Sequence, residues 1–218
     1  KELITVKENE KLKNDIQMLI KRYIVVPESI VYEYFSDKDK EQIARILYRL
    51  ISEGSISKSK YSIQSKSKSV GYAITGINRN SLSSINGNTL ESLTKSLKVI
   101  SNLRRYYPNI IHTPTYFPAT IRATVFTSTG EEKHIEILYC TPDNVGRVFF
   151  HHIENESLDY IRYVILSGNF GKDKVKTILS RISNIRSIVK VGRTAKDVEY
   201  YSPDEYIAEL CVGGDVVV

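Results

Sequence analysis

The stretch IARILYRLISEGSISKSKYSIQSKSKSV, Ile43–Val70, changes its hydrophobic period halfway along. Up to Ile51 the apolar residues Ile43, Ile46, Leu47, Leu50 and Ile51 recur at helical spacing, and Gly54 is the C′ residue at which a helix stops. Beyond it Ile56, Tyr61 and Ile63 define one strand, and Val70, Tyr72 and Ile74 a partner strand. QSKSKS between them is too polar for any core. The stretch therefore predicts a helix followed by a two-stranded ribbon with a basic tip.

Upstream, TVKE opens a first helix. Thr5 is placed to cap it and Glu8 to reach back, and Leu12, Ile16, Leu19, Ile20 and Tyr23 form its apolar face. VVPESIVYEYF predicts a short second helix with Pro27 at its first position and Ile30, Val31, Tyr34 and Phe35 inward. Ser36 then caps a third helix, expected over residues 36–53, with Asp37 and Asp39 in its first turn. Three helices followed by a ribbon are the winged helix-turn-helix plan. LYRLISEGSI resembles the end of the recognition helix and the start of the wing in many bacterial winged-helix proteins, and the resemblance covers about residues 5–75.

With Ile43, Leu47 and Leu50 inward, Lys38, Gln42, Arg45 and Arg49 face outward, a strip suited to a major groove roughly 12 Å wide. Lys58, Lys60, Lys66 and Lys68 lie on the wing, and Gly54 to Thr75 holds no carboxylate. Serine hydroxyls between the lysines can donate to phosphates. The expected partner is double-stranded DNA. Glu41 shares the helix face, and two other readings stay open: an ordinary solvated surface, or a winged helix that binds protein.

Bulk properties agree with a globular chain. It has 218 residues, 41% hydrophobic and 26% charged, enough for one large domain or two modest ones. Net charge is +6, which favours an anionic partner without defining one. No apolar run reaches the roughly 18 residues of a membrane span, and KELITVKENE has no signal-peptide core, so a cytoplasmic location is expected with no membrane partner. Cys140 and Cys211 have no zinc or disulfide spacing and read as reduced, partly buried thiols.

TGINRNSLSSINGN, Thr75–Asn88, is polar and aperiodic and reads as a linker, placed at 76–88 between a domain at 1–75 and another at 89–218. Asn88 and Glu91 form a capping box for a helix to about Arg105. Its Leu90, Leu93, Leu97, Ile100 and Tyr107 either pack on a sheet of the same chain or form a homodimer seam. ATIRATVFTSTGEEKHIEILYC is a β-hairpin turning at STGEE, and DYIRYVILSGN is a buried strand. Lys172–Ile182 is a helix with Val175, Ile178, Leu179 and Ile182 inward, and SIVKVG is a further strand. The fold class is α+β: an N-terminal winged helix and a C-terminal mixed α/β domain. The order helix, strand, strand, strand, helix, strand matches a restriction-endonuclease-like core.

TYFPATIRATVFTSTGEEKHIEILYC, YIRYVILSGN and VKVG…VEYYSPDEY resemble winged-helix proteins of Gram-positive conjugative elements and plasmids, whose layout is similar to the replication-relaxation family. The resemblance implies a DNA-binding accessory or regulator of a mobile element. The Lys-, Ile-, Asn- and Tyr-rich composition suits an AT-rich bacterial or phage genome. The C-terminal domain is expected to serve dimerisation or a protein partner.

Candidate chemistry is sparse. A Mg²⁺ nuclease needs converging carboxylates and a Glu-x-Lys on a strand. Glu131–Lys133 falls at the hairpin turn, Asp143 follows in the wrong order, and Glu136 stands alone in mid-hairpin. Adjacent His151 and His152 diverge on either a strand or a helix, and His112 and His134 are single, so no metal site is expected. Tyr106-Tyr107 and Tyr200-Tyr201 read as stacking or core residues. LSGNFGKDK lacks the phosphate-loop spacing, so no cofactor is assigned. CVGGDVVV reads as a last strand or a tail. No catalytic residue is expected. The alternatives are a nuclease or nicking accessory, or an antitoxin-like autorepressor that binds a partner.

Overall fold

The computed structural model describes the backbone of residues 2–62, 70–76, 87–155 and 159–212, and the side chains of these except 2–6, 61–62, 70–76, 87–89 and 212. Seven helices and nine strands, a mixed α+β fold, occur among the described residues. Two compact units, Lys1–Thr94 and Lys95–Val218, divide the chain. The expected linker lies mostly outside the described residues, and the division falls within the helix that follows it.

The first unit runs α1 (Glu2–Tyr23), β1 (Val25–Pro27), α2 (Glu28–Tyr34), α3 (Lys40–Ser52), β2 (Ile56–Ser62) and β3 (Val70–Gly76). The strands form an antiparallel sheet in the order β1-β3-β2. Leu12, Ile16, Leu19, Ile20 and Tyr23 of α1 are buried, as are Ile30 and Val31 of α2 and Ile43, Ile46, Leu47 and Leu50 of α3. The apolar stripes predicted from spacing are thus the core stripes, except that Tyr34 and Ile51 are only partly buried.

Three local expectations are corrected. Thr5 lies inside α1, which begins at Glu2, so it is not a cap. VVP is a strand, not a lead-in to a helix; Val25 and Val26 are fully buried, and Pro27 is tolerated because β1 is an edge strand. The third helix is Lys40–Ser52, shorter than 36–53, because Asp39 is its cap: its Oδ1 accepts from the Glu41 backbone N–H at 3.2 Å. Ser36, Asp37 and Lys38 precede the helix in a turn closed by Lys38 N–H donating to the Phe35 carbonyl at 2.9 Å.

At the far end of α3, Gly54 has φ +70, a conformation that disfavours any side chain. Ser55 N–H then donates to Leu50 O at 2.9 Å and Gly54 N–H to Ile51 O at 3.0 Å, the paired bonds of a Schellman stop. This turn aims the chain from α3 into β2.

The division falls within α4 (Gly87–Leu103), whose first turn contains Asn88, so Asn88 is not the cap. The rest of the second unit is β4 (Ile111–Pro114), β5 (Ala119–Phe126), β6 (Glu132–Cys140), α5 (Val145–Glu154), β7 (Ile161–Leu166), α6 (Lys172–Arg181), β8 (Ile185–Val191), β9 (Val198–Tyr201) and α7 (Pro203–Val212). One six-stranded sheet has the order β4-β5-β6-β7-β8-β9. Its first three strands are an antiparallel meander, β6, β7 and β8 are parallel, and β9 returns antiparallel.

One core layer joins Leu138, Val148, Val164, Val175, Ile178 and Tyr206, from strands and from α5, α6 and α7. The opposite strand parity faces α4, where Lys95 lies 5.8 Å from the Tyr139 ring centroid. Asn102 of α4 donates to Ala195 O at 2.8 Å and accepts from the Tyr200 hydroxyl at 3.0 Å. Leu97 and Ile100 are fully buried, so this part of the leucine seam is already covered by the chain's own second unit.

The predicted hairpin is β5–β6, the buried strand is β7, the helix is α6, and SIVKVG lies in β8. Periodicity alone does not predict β4, α5, β9 or α7. Cys140 is buried and Cys211 exposed, both as free thiols; Cys211 is therefore not partly buried. Burial pushes the Cys140 thiol up to about 12.

Candidate functional site

Two residue clusters carry chemistry, one in each unit. On α3, the buried stripe leaves Glu41, Arg45, Tyr48 and Arg49 exposed. The four expected base readers have different situations. Lys38 is exposed in the preceding turn and pairs with Asp37 at 2.9 Å. Gln42 turns toward α1 and donates to the Asn9 side chain. Arg49 is held by two carboxylates, Glu53 at 2.8 Å and Glu10 of α1 at 3.1 Å. Arg45 reaches only the Glu41 carbonyl, at 3.4 Å, and has no ion pair among the described residues.

Lys13 of α1 completes the network by contacting Glu53 at 2.9 Å. Hydrogen bonds from Lys13, then Arg49, hold the Glu53 carboxyl below its ordinary value. These groups flank a groove of about 400 Å³ between α1 and α3. Tyr48, with 76% of its surface exposed, stands beside Arg45 on the outer face. Sequence reasoning passed over it, although its place off the Ile43–Leu47–Leu50 stripe marks it as outward.

On β2, Lys58 is not free. Its Nζ lies 2.8 Å from Glu28 at the start of α2. Lys60 is exposed two residues further on the same ribbon face. Lys66 and Lys68 lie outside the described residues. Of the expected DNA-binding residues that are described, Arg45 and Lys60 are exposed without an ion pair, with Tyr48 beside Arg45.

The second cluster is a row across three strands. Arg122 of β5 opposes Glu136 of β6, which opposes Arg162 of β7. Glu136 and Arg162 are fully buried. Arg122 Nε lies 3.0 Å from Glu136 Oε1, and His151 Nε2 of α5 lies 3.1 Å from the same oxygen. Arg162 Nε approaches Glu136 Oε2 at 3.5 Å, and its other nitrogens donate to the backbone carbonyls of Ser183 and Asn155. Burial pushes the Glu136 carboxyl up, but His151 and then Arg122 outweigh it, and the net direction is below the ordinary carboxylate value.

Glu136 is therefore not alone in mid-hairpin, as expected from spacing; it is the hub of the cluster. His151 and His152 do diverge, His151 to Glu136 and His152 to accept from the Ser183 N–H at 3.3 Å. Glu131 precedes β6 and pairs with Lys133 at 3.3 Å, both partly exposed. Tyr163 and Tyr200 pack edge to face with centroids 5.7 Å apart, and the Tyr201 hydroxyl donates to Glu199 at 2.7 Å. Among the described residues no three His, Cys, Asp or Glu side chains are grouped to hold a metal ion. None of the helices among them is long and apolar enough to cross a membrane.

No family model and no curated protein matches the sequence.

Proposed function

We propose that this protein is a DNA-binding accessory or regulatory protein that reads duplex DNA with α3 and the β2–β3 wing, in the cytoplasm, on a plasmid, phage or conjugative element. The observation that carries this reading is connectivity: the order α1–β1–α2–α3–β2–β3, with the sheet ordered β1-β3-β2, supports a winged-helix reading. Its third helix presents Arg45 and Tyr48 to solvent. Thirteen residues make a helix about 20 Å long, which suits a major groove. Arg45 is the candidate for base edges and Lys60 for phosphate.

The second unit accompanies this activity as a catalytically silent domain. Its order α4–β4–β5–β6–α5–β7, with an antiparallel meander followed by a parallel strand, supports a restriction-endonuclease-like ancestry. The elements that fill that order begin one step earlier than spacing predicted. On β6, Glu136 is followed two residues on by buried Leu138, not lysine, and lies between two guanidiniums, Arg122 bonded to Oε1 at 3.0 Å and Arg162 3.5 Å from Oε2. That favours a structural role over a carboxylate pair binding Mg²⁺.

Footprinting of the purified protein on the DNA upstream of its own gene tests the proposal. A protected site that disappears with Arg45→Ala supports it. No protection there, and no duplex enriched from a random pool, would contradict it.

A further inference from the structure

The second unit has a cavity of about 560 Å³ between the turn before β5 and helix α5, within the size range of small-ligand sites. Arg122 and His151 line it, and both are tied to buried Glu136. Arg122 is pre-oriented: Nε is bonded to Glu136, one terminal nitrogen donates to Asn155 Oδ1 at 3.0 Å, and the guanidinium lies 4.8 Å from the Tyr160 ring centroid. A guanidinium has five N–H donors, so three remain beyond those two bonds. A second guanidinium, exposed Arg147 of α5, lines the same cavity.

The charges are unequal. Arg122 and Arg147 line the cavity against one lining carboxylate, the exposed Glu154, while the buried Glu136 behind Arg122 is flanked by Arg122 and Arg162. The aromatic content is equally specific. Tyr116 is 91% exposed and Phe150 63%, and both line the cavity. Large flat side chains held in water beside one pre-oriented guanidinium and a second exposed one are the components of a base-stacking and phosphate-binding site.

We propose that this cavity binds a nucleotide unit, with its base stacked on Tyr116 or Phe150 and its phosphate on Arg122 and Arg147. The shared chemistry is a planar base joined to a phosphate, supplied by a free mononucleotide or by a single strand. Nucleotide binding here does not depend on duplex binding by α3, which uses other residues in the other unit.

The test is calorimetric titration of the full chain with dAMP, deoxyadenosine, inorganic phosphate and a 5′-hydroxyl dA octamer. Arg147→Ala and Phe150→Ala are the variants, because both side chains are exposed and the fold should persist. dAMP or the octamer should bind, with deoxyadenosine and phosphate alone weaker by about tenfold or more, and each variant should weaken binding by about tenfold. Binding of dAMP identifies the free nucleotide as a source, and binding of the octamer without dAMP identifies the strand. No binding of either, or binding that both variants leave unchanged, overturns the proposal. An Arg45→Ala, Tyr48→Ala variant should retain nucleotide binding, which keeps this outcome separate from the fate of the duplex reading.

Discussion

Arg49 and Glu53, one turn apart at the end of α3, are joined at 2.8 Å, and Glu10 holds the other side of the same guanidinium at 3.1 Å. An arginine in this state is not presented to a base edge. It has to leave two carboxylates before it can reach a phosphate or a guanine. The acids of α1 and α3 thus oppose the anion that α3 is proposed to bind.

Glu10→Gln should therefore raise affinity for all duplexes by a few-fold. It removes a negative charge and one competitor for Arg49, and the gain should shrink with added salt because the pair is exposed. Binding isotherms at two salt concentrations check this. An unchanged or weakened affinity would mean that Arg49 serves the α1–α3 contact and not the DNA.

The lysines proposed to contact phosphate should behave unequally. Lys60, Lys66 and Lys68 changed together to Gln should lower the slope of log K against log salt by about 0.9 for each phosphate no longer neutralised. Lys58→Gln alone should leave the slope nearly unchanged, since Lys58 is paired with Glu28. A drop of a full unit of slope with Lys58→Gln would show that the pair opens on binding.

Tyr48→Ala should weaken duplex binding by about tenfold without lowering the midpoint of urea unfolding. The side chain is 76% exposed, so truncation opens no cavity in the core. A fall in stability that parallels the fall in binding would return Tyr48 to a structural role.

Glu136→Gln should destabilise the second unit by about 3–5 kcal/mol, because Arg162 would then be a buried charge without its counter-ion. The pH dependence has a definite sign. The folded-state pKa of Glu136 lies below the ordinary value of 4.5, so its contribution is present above that value and lost as pH falls through the lowered one. Urea unfolding of wild type and variant should differ most near neutrality and converge in acid. Equal stability at neutral pH would show that the charged row does not stabilise the unit.

Much of the first unit is legible in the sequence. The α3 stripe and the Gly54 stop follow from period and residue type alone, and so does the ribbon. The register of β5 and β6 is also implicit: with 127–131 as the turn, Phe126 faces Glu132 and Arg122 must face Glu136. Weighing Glu136 only against other carboxylates hides that pairing. Arg162, a charge inside the apolar run YIRYVIL, is the second signal. Other features have no local mark. Strand β1 is three residues long and exists through its pairing with β3, and α5 starts after Asn144, an N-cap that makes no side-chain cap bond. The Lys58–Glu28 and Arg49–Glu10 pairs join residues 30 and 39 positions apart, a separation that helical or strand periodicity does not reach.

The most direct test of duplex reading by α3 is fluorescence anisotropy of the full chain on a duplex selected from a random pool, comparing wild type with Arg45→Ala. Folding of both should be verified by circular dichroism. Binding should be salt-dependent, and Arg45→Ala should weaken it by about 1–3 kcal/mol on the selected site, with a much smaller effect on an unrelated duplex. No selectable duplex, or equal binding by wild type and variant on every duplex, would contradict the assignment.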